Sequence, residues 1–304
     1  MTRPTVVVVT GPTASGKTAL AIELAQWLGT EIVSADSRQI YRDIPIGTAA
    51  PDAAQRAAVP HHLVGFLPLD AYYSAACFEA DAMRIVADIL GRHGTAVVCG
   101  GSMMYIDALT RGIDEMPTVS DGVRDYVLRI YTEQGLDAVL AQLQICDPDY
   151  YAEVDRRNPR RVVHAVEVSL QAGVPYSSLR TGKPKERPFD IVKLAIDLPR
   201  EELFGRIRRR VDQMIADGLV DEARRAFAQG DFNSLNTVGY KEMRQYLAGD
   251  LTLDETAERI ARNTRVYAKK QLTWLRRTPG VTYLPHTSPF TTARSILEKT
   301  NLGQ

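Results

Sequence analysis

One stretch near the start of the chain restricts its fold more than any other, because residues 11–18 read Gly-Pro-Thr-Ala-Ser-Gly-Lys-Thr. They fit the pattern G-x-x-x-x-G-K-[ST] and directly follow an apolar run from Thr5 to Thr10. The glycines let successive backbone N–H groups turn inward around an anion, while Lys17 adds positive charge and the Thr18 hydroxyl suits Mg²⁺. A helical repeat of apolar residues then runs from 17 to 28 and stops at a glycine. The sequence therefore predicts a strand, a phosphate-binding loop and a helix in succession.

The loop leaves the reaction open, since nucleotide hydrolases, kinases and diphosphate transferases can all use it. A hydrolase usually has an apolar strand that ends in an acid near the metal. The best candidate strand here, 96–99, runs into Gly100 and Gly101 instead, which argues against an ATPase. A small-molecule kinase and a nonenzymatic, nucleotide-gated RNA-binding protein remain as alternative hypotheses.

Composition sets only broad limits on the class of protein. The chain has 304 residues, 45% of them hydrophobic and 24% charged, which is enough to bury a substantial core. Its first residues enter a strand without a secretion pattern, and no apolar run approaches the length of a membrane span. We expect a cytoplasmic, monomeric protein with no membrane segment. Three scattered cysteines exclude a disulfide framework.

Strands and helices alternate along most of the chain, which is typical of a parallel α/β core. We predict strands at 5–10, 31–35, 95–99 and 191–196, and helices near 17–28, 74–90, 102–110, 200–229, 241–248 and 253–277. Between 116 and 188 the pattern is helical, charged and interrupted by Gly135, Pro148, Gly173 and Pro175. The sequence thus predicts an α/β, P-loop NTPase-like core formed by 1–115 and 189–304, with an inserted helical subdomain at 116–188.

Three segments are expected to meet at one edge of the sheet, because open parallel sheets bind ligands beyond the carboxyl ends of their strands. These segments are the phosphate-binding loop, residues 36–39 and residues 100–102. Asp36 directly follows the second strand and can act as a general base or hold Mg²⁺; a turn or helix-capping aspartate is the alternative. Residues 100–102 can supply further N–H donors to an anion, or form a plain tight turn.

Basic residues are clustered although the net charge is zero. They fall in residues 156–161 and 180–187, in 206–210, and along the predicted helix 253–277, which carries no acid after Glu258. Arg262, Lys269 and Arg276 recur every seven residues and so share one helical face. A solvated basic face explains one such helix, but several clusters in a neutral chain favour a polyanionic partner.

Seven blocks of sequence, in this order, resemble the tRNA dimethylallyltransferase family, also called tRNA isopentenyltransferases. The blocks are residues 11–18, 36–42 (Asp-Ser-Arg-Gln-Ile-Tyr-Arg), 46–49, 61–63, 100–102, 239–242 (Gly-Tyr-Lys-Glu) and 264–271 (Thr-Arg-Val-Tyr-Ala-Lys-Lys-Gln). The resemblance spans nearly the whole chain. It implies transfer of a dimethylallyl group from its diphosphate to the exocyclic amine of the adenosine 3′-adjacent to the anticodon in tRNA.

The resemblance also implies residue roles in the transfer itself. Asp36 would accept a proton from the attacking amine, Thr13 would hydrogen-bond the oxygen that bridges to the leaving group, and Lys17 would stabilise the departing diphosphate. Mg²⁺ would be bound by Thr18. The diphosphate-binding set comprises Gly11, Pro12, Thr13, Ala14, Ser15, Gly16, Lys17 and Thr18, with Arg206 and Arg210. For the two arginines, a solvated helix face is the alternative.

For the acceptor, the resemblance implies a base turned out of the anticodon loop, because bases of a folded RNA are read best when splayed out. The tRNA-binding set comprises Asp36, Ser37, Arg38, Gln39, Ser102, Arg160, Arg161, His164, Arg265 and Lys269. Within this set, Gln39 is the candidate for reading the edge of the adenine base. The family commonly has threonine where Ser102 stands, arginine where His164 stands and methionine where Arg38 stands. A close alternative is a free-nucleotide isopentenyltransferase, and the basic insertion and basic C-terminal helix favour tRNA.

Overall fold

A computed structural model describes residues 3–300, which form six strands and fourteen α-helices. The chain divides into two compact units. The core unit comprises the residues up to Arg111 and from Glu186 onward, and the helical unit comprises Gly112–Lys185. These boundaries lie a few residues before the predicted ones at 116 and 188.

The strands of the core unit form one parallel sheet in the order β3-β2-β4-β1-β5-β6. Their bounds are β1 Thr5–Thr10, β2 Ile32–Ser34, β3 His61–His62, β4 Thr95–Gly100, β5 Asp190–Asp197 and β6 Val281–Pro285. Every residue of β1 is buried, as expected for a central strand of a sheet covered on both faces. The predicted α/β class with a parallel sheet is confirmed, and the four predicted strands are present to within one or two residues.

Nine helices belong to the described part of the core unit. They are α1 Lys17–Leu28, α2 Ala53–Ala58, α3 Ala75–His93, α4 Met103–Arg111, α10 Arg200–Ala216, α11 Leu219–Gln229, α12 Tyr240–Leu247, α13 Leu253–Arg277 and α14 Pro289–Lys299, together with a 3₁₀ turn at Asn233–Leu235. Helix α13 begins with the predicted capping box between Thr252 and Glu255. The region predicted as helical from 200 to 229 is divided at Gly218, whose φ of 99° ends one helix before the next begins.

Two clusters of buried apolar side chains contribute to the hydrophobic core of this unit within residues 3–300. In the first, Leu20 and Leu24 of α1 and Leu297 of α14 pack with Val7 and Val97 on the sheet. In the second, the helices α10 to α13 pack among themselves through buried side chains, which include Ile207, Val211, Tyr240, Met243 and Ile260. Strand β6 and helix α14 were not predicted, because their short apolar runs carry weak periodicity, but both complete the sheet and its cover.

The helical unit contains α5 Asp121–Gln134, α6 Leu136–Cys146, α7 Pro148–Glu153, α8 Pro159–Ala172 and α9 Tyr176–Leu179. Gly135, Pro148, Gly173 and Pro175 stand at helix boundaries, as predicted. The buried carboxylate of Asp147 caps α7 by accepting from the Tyr150 N–H at 3.0 Å, and also accepts from Ser177 N–H and Oγ. The helical unit has its own apolar core, whose side chains include Val127, Leu143 and Val162.

Glu31 lies at the amino end of β2, where three basic side chains contact its carboxylate. Its carboxylate accepts a hydrogen bond from Arg92 and contacts Nε2 of His62 at 2.6 Å and Nε2 of His93 at 3.4 Å. The hydrogen bond from Arg92 is the main reason that the pKa of Glu31 is lowered to about 2. This cluster therefore links β2, β3 and α3 at the edge of the sheet away from the phosphate-binding loop.

We expect Glu31→Gln to lower the free energy of unfolding near neutral pH by about 1 kcal/mol, since Arg92 is partly exposed. The folded-state pKa of Glu31 lies below the ordinary 4.5, so its ionised form stabilises the fold above about pH 4.5 and loses that effect as the pH falls towards 2. In urea unfolding, the difference in unfolding free energy between variant and wild type should shrink as the pH falls over that range. Glu23→Gln, which changes an exposed acid, is the matched control. A loss of unfolding free energy in Glu31→Gln that is the same at all pH values would contradict the assignment.

Candidate active site

The loop between β1 and α1 has the geometry of an anion-binding loop. Gly11 and Gly16 have φ values of 147° and 97°, and Ala14 is left-handed at 63°. A non-glycine residue in this region costs roughly 1–2 kcal/mol, so the surrounding fold holds the loop in place. The hydroxyl of Ser15 is buried and has no hydrogen-bond partner among residues 3–300. The predicted strand, loop and helix are confirmed, and the orphaned hydroxyl suits a ligand that accepts hydrogen bonds.

A cavity of about 270 Å³ opens beside this loop at the carboxyl ends of β1 and β2. One wall consists of Thr13, Lys17 and residues 36–38, and another of the loop 47–49. The remaining walls come from α10, α13 and residues 237–239; their lining side chains are Ile207, Arg210, Val211, Met214, Thr237, Val238, Ile260, Thr264, Tyr267 and Gln271. The cavity therefore combines a cationic end at the phosphate-binding loop with an extended apolar wall.

Two cations stand at the polar end of the cavity. Nζ of Lys17 donates to the Pro12 carbonyl at 3.4 Å, and Nη1 of Arg210 donates to Oγ1 of Thr13 at 3.2 Å. Burial is the main cause that lowers the pKa of both Lys17 and Arg210, and the nearby Arg210 charge lowers that of Lys17 further. Cations that are poorly solvated and close together gain most from an incoming anion, so this end of the cavity is built to receive one.

Thr13 is held so that its hydroxyl proton can face the cavity. Because Arg210 donates to the lone pair of Oγ1, the Thr13 hydroxyl must use its own proton elsewhere. Nothing local in the sequence joins these residues, which lie 197 positions apart. The arrangement can supply one hydrogen-bond donor to a ligand oxygen between the phosphate loop and the cavity.

Asp36 lies two residues beyond β2 and lines the cavity. Its Oδ1 accepts the N–H groups of Arg38 at 2.9 Å and of Gln39 at 3.4 Å, which forms a turn. No residue in 3–300 donates a hydrogen bond to Oδ2. The alternative interpretation of Asp36 as a turn residue is thus correct for one oxygen, and the same turn places the carboxylate in the cavity wall, where it can accept a proton.

The other predicted residues after Asp36 divide into two groups. Ser37 and Arg38 line the cavity, and Arg38 also donates to the Ser234 carbonyl at 3.3 Å. Gln39 instead uses its amide to hold the opposite wall: Nε2 donates to the carbonyls of Thr48 at 3.3 Å and Ala49 at 2.9 Å. Its amide is therefore committed within the protein, and the expectation that Gln39 reads a base directly loses support.

Ser102 and the turn before it contribute less to anion binding than expected. Ser102 is buried, and its N–H donates to the Ala35 carbonyl at 3.2 Å. A Cβ on Gly100 would lie 2.1 Å from the same carbonyl, so a glycine is needed where β4 passes close to β2. Of the two alternatives for residues 100–102, the tight turn therefore describes the Ser102 N–H, because that donor closes the turn and is not available to an anion.

The cavity loop 47–49 is held by two buried side chains to which the sequence analysis assigned no role, Glu222 and Tyr240. Glu222, which is buried on α11, accepts the N–H groups of Ile46 and Gly47, both at 2.8 Å, and the hydroxyl of Tyr240. A Cβ on Gly47 would lie 2.5 Å from the Tyr240 hydroxyl, which explains the glycine. In the sequence, Glu222 resembles any acid in the first turn of a helix, so no local signal identifies it.

Several residues of the predicted basic clusters are neutralised within the core unit. The side chain of Arg187 is only 8% exposed, pairs with Glu79 at 2.5 Å and donates to the carbonyls of Ala108 and Leu109, so its assignment to a polyanion-binding cluster is wrong. Arg206 pairs with Glu202 at 2.7 Å and donates to the Ser15 carbonyl at 3.3 Å. It thus supports the phosphate-binding loop from outside, whereas Arg210 lines the cavity.

The remaining predicted tRNA-binding residues lie on two helices. On α13 of the core unit, Lys269 is exposed and Arg265 half-buried, each 5.9 Å from the ring centre of Phe204. On α8 of the helical unit, Arg160, Arg161 and His164 are exposed. Each helix therefore presents basic or polar side chains to solvent.

Thr18 lies in the first turn of α1 and is half-buried beside the Cys99 thiol, whose pKa burial raises to about 11. Mg²⁺ is usually held by one or two protein oxygens while the substrate phosphates and water complete its coordination. The Thr18 hydroxyl is an oxygen donor of that kind, so the residues present fit the ion. Within residues 3–300 no cluster of three or more histidine, cysteine or acidic side chains forms a metal site.

A phosphate-binding loop at the carboxyl edge of a parallel sheet, facing a cavity with an acid and an apolar wall, defines a P-loop enzyme that acts on a phosphorylated, partly apolar substrate. Residues 39–278 match the sequence model of a family described as IPP transferase, and residues 4–59 match one described as Isopentenyl transferase. The chain belongs to the IPP transferase family, as the sequence resemblance indicated.

Similar proteins agree with this membership. A Parabacteroides distasonis protein named tRNA dimethylallyltransferase 2 is 50% identical over 277 residues, which cover 91% of this chain and 93% of that protein. The full-length tRNA isopentenylpyrophosphate transferase of Bacillus halodurans has a TM-score of 0.72 at 32% identity and covers 99% of this chain and 98% of its own. A eukaryotic dimethylallyltransferase acting on tRNA has a TM-score of 0.83 at 26% identity, and the match covers 98% of this chain and 79% of that chain.

In the described range no helix is long and apolar enough to cross a bilayer.

Proposed function

We propose that this protein transfers a dimethylallyl group from dimethylallyl diphosphate to the exocyclic amine of the adenosine 3′-adjacent to the anticodon in tRNA, releasing diphosphate. The observation that carries the proposal is the cavity itself, which places a cationic phosphate loop, an acid and an apolar wall around one space. Full-length similarity to proteins named tRNA dimethylallyltransferase supports the same activity. These relatives make a prenyltransferase a better interpretation than a kinase.

The donor matches the two ends of the cavity. Its diphosphate would bind the loop amides, Lys17 and Arg210, and its five-carbon chain would lie against the apolar side chains of Ile207 and Met214. Mg²⁺, held by Thr18, would offset the diphosphate charge when bound. These interactions stabilise the leaving diphosphate more than the intact donor, which is what accelerates the transfer.

The transfer exchanges one bond for another. The bond between the allylic carbon and the bridging oxygen breaks, and its electron pair leaves with the diphosphate, while the lone pair of the adenine amine forms the new C–N bond. The Thr13 hydroxyl donates a hydrogen bond to the bridging oxygen as negative charge develops there. Asp36 accepts the proton that the amine loses and orients the amine beforehand.

The experiment that tests the proposal supplies labelled dimethylallyl diphosphate, Mg²⁺ and unmodified tRNA, with AMP and ATP as parallel acceptors. We expect label only on the adenosine 3′-adjacent to the anticodon. Label on AMP or ATP would replace tRNA by a free-nucleotide acceptor. Absence of transfer to all acceptors would overturn the proposal, and phosphate transfer from ATP to a small molecule would support a kinase.

The exposed arginines of α8 give a second test, which concerns tRNA binding alone. We propose that Arg160 and Arg161 contact phosphates of the anticodon arm, as the family resemblance implies. Replacing both by alanine should weaken tRNA binding and reduce the slope of log affinity against log salt by about one for each phosphate that is no longer neutralised. Arg224→Ala, which removes an exposed arginine paired with Asp221, is the control. An unchanged slope in the double variant would contradict the assignment.

A further inference from the structure

Gln271 joins two loops of the candidate active site from a helix that is distant in sequence. It lies on α13 and is 4% exposed. Its Oε1 accepts the N–H of Thr13 at 2.9 Å, and its Nε2 donates to the carbonyl of Gly101 at 2.8 Å. The bond to Thr13 spans 258 positions of the chain. One buried amide therefore connects the loop after β1 with the turn after β4.

The partners of Gln271 fix the orientation of its amide. The Thr13 N–H can only donate and the Gly101 carbonyl can only accept, so exchanging the amide oxygen and nitrogen would break both bonds. A Cβ on Gly101 would lie 2.5 Å from Nε2, so glycine makes room for the contact. The bond also occupies the Thr13 N–H, which means that Thr13 contributes its hydroxyl rather than its backbone to a ligand.

The placement of α13 does not depend on this amide. Three residues further along the helix, Nε1 of Trp274 donates to the Asp107 carboxylate on α4 at 2.9 Å. The apolar side chains of Ile260, Ala268 and Leu275 bury the same helix. Loss of the Gln271 amide should therefore leave α13 in place and release Thr13 locally.

We propose that Gln271 is a positioning residue for the transfer step, which acts by holding the Thr13 main chain so that the Thr13 hydroxyl meets the bridging oxygen of the donor. The inference rests on the proposed function. Arg210 fixes the Thr13 hydroxyl from one side and Gln271 fixes its backbone from the other. A displacement of a reacting group by about 1 Å can cost about 10²-fold in rate, so a modest shift of Thr13 would be costly.

The test is a double-mutant cycle between Gln271 and Thr13, with tRNA prenylation as the readout. Gln271→Met removes both hydrogen bonds at nearly constant size, and we expect kcat to fall by about 10- to 100-fold while the KM for tRNA stays the same. In a Thr13→Ala background the same substitution should lower kcat by less than about threefold, because the hydroxyl that Gln271 positions is already absent.

Gln245→Met is the matched control, since this glutamine lies on α12 and accepts from Arg259 at 3.1 Å. Gln271→Asn, which is too short to reach both partners, provides a second variant if Gln271→Met does not fold. An equal loss of kcat in both Thr13 backgrounds, or wild-type kcat in Gln271→Met, would overturn the inference while leaving the proposed function intact. Failure of the wild-type protein to transfer the group would instead remove the proposed function.

Discussion

Asp36→Asn should lower kcat for prenyl transfer by about 10²- to 10⁴-fold, the usual range for a positioned acid or base. Asparagine keeps the oxygen that accepts the N–H groups of Arg38 and Gln39, so the turn and the cavity wall should remain. What it removes is the ability to take the proton that the adenine amine releases. It also removes the negative charge that partly offsets burial, which lowers the pKa of both Lys17 and Arg210.

The affinity for the donor separates a catalytic role of Asp36 from a structural one. We expect the Asp36→Asn variant to bind diphosphate as tightly as wild type or more tightly, because a carboxylate near the anion has been removed. Steady-state kinetics and calorimetric binding of diphosphate measure the two effects. The control is Asp70→Asn, which changes an exposed acid outside the cavity. Turnover equal to wild type would remove Asp36 from the mechanism.

Lys17→Met should have the second large effect, and its direction differs for function and for stability. We expect kcat/KM for the donor to fall by about 10²- to 10³-fold, as for loss of one preorganised group that stabilises a developing anion. Without ligand, the thermal midpoint should stay the same or rise, because the variant no longer buries a poorly solvated cation beside Arg210. Added diphosphate should raise the midpoint of wild type much more than that of the variant.

Lys193→Met is the matched control for Lys17→Met. Lys193 is half-buried, and burial is the main cause that lowers its pKa too, but it lies on β5 and does not line the cavity. The Lys193→Met substitution should leave kcat/KM and the rise in thermal midpoint on adding diphosphate unchanged. A strongly destabilised Lys17→Met variant would contradict an anion-binding role for Lys17. So would a variant whose thermal midpoint still rises with diphosphate as much as that of wild type.

The two sides of the cavity explain why these variants should act separately. In the proposed mechanism, Lys17, Arg210 and Thr13 would face the departing diphosphate, whereas Asp36 would face the attacking amine. Loop 47–49 closes the space between them and is held from two directions, by the Gln39 amide and by the Glu222 carboxylate. Because these hydrogen bonds already hold the loop, the cavity is largely preformed, which reduces the ordering that substrate binding would otherwise require.

Local sequence was sufficient where neighbours along the chain decide the structure. The run 5–10, the glycines at 11 and 16 and the helical repeat that follows specified β1, the phosphate-binding loop and α1 at their observed bounds. The rule that ligands bind at the carboxyl ends of parallel strands then placed Asp36 beside the loop correctly. The capping box at Thr252 likewise fixed the start of α13. The elements β3, β6, α2 and α14 were missed; the first three have at most six residues each, so few residues carry their pattern.

Fold class, the phosphate-binding loop, the place of Asp36 and the family all follow from the sequence alone, because each depends on residues that are close together or on an ordered set of motifs. Tertiary packing was needed to show which distant side chains complete the site. Arg210 and Gln271 reach Thr13 from α10 and α13, and Arg187, which looks equally basic in the sequence, pairs with Glu79. A side chain acquires its hydrogen-bond partners, its burial and its effective charge from helices packed across the core, and no local pattern records that packing.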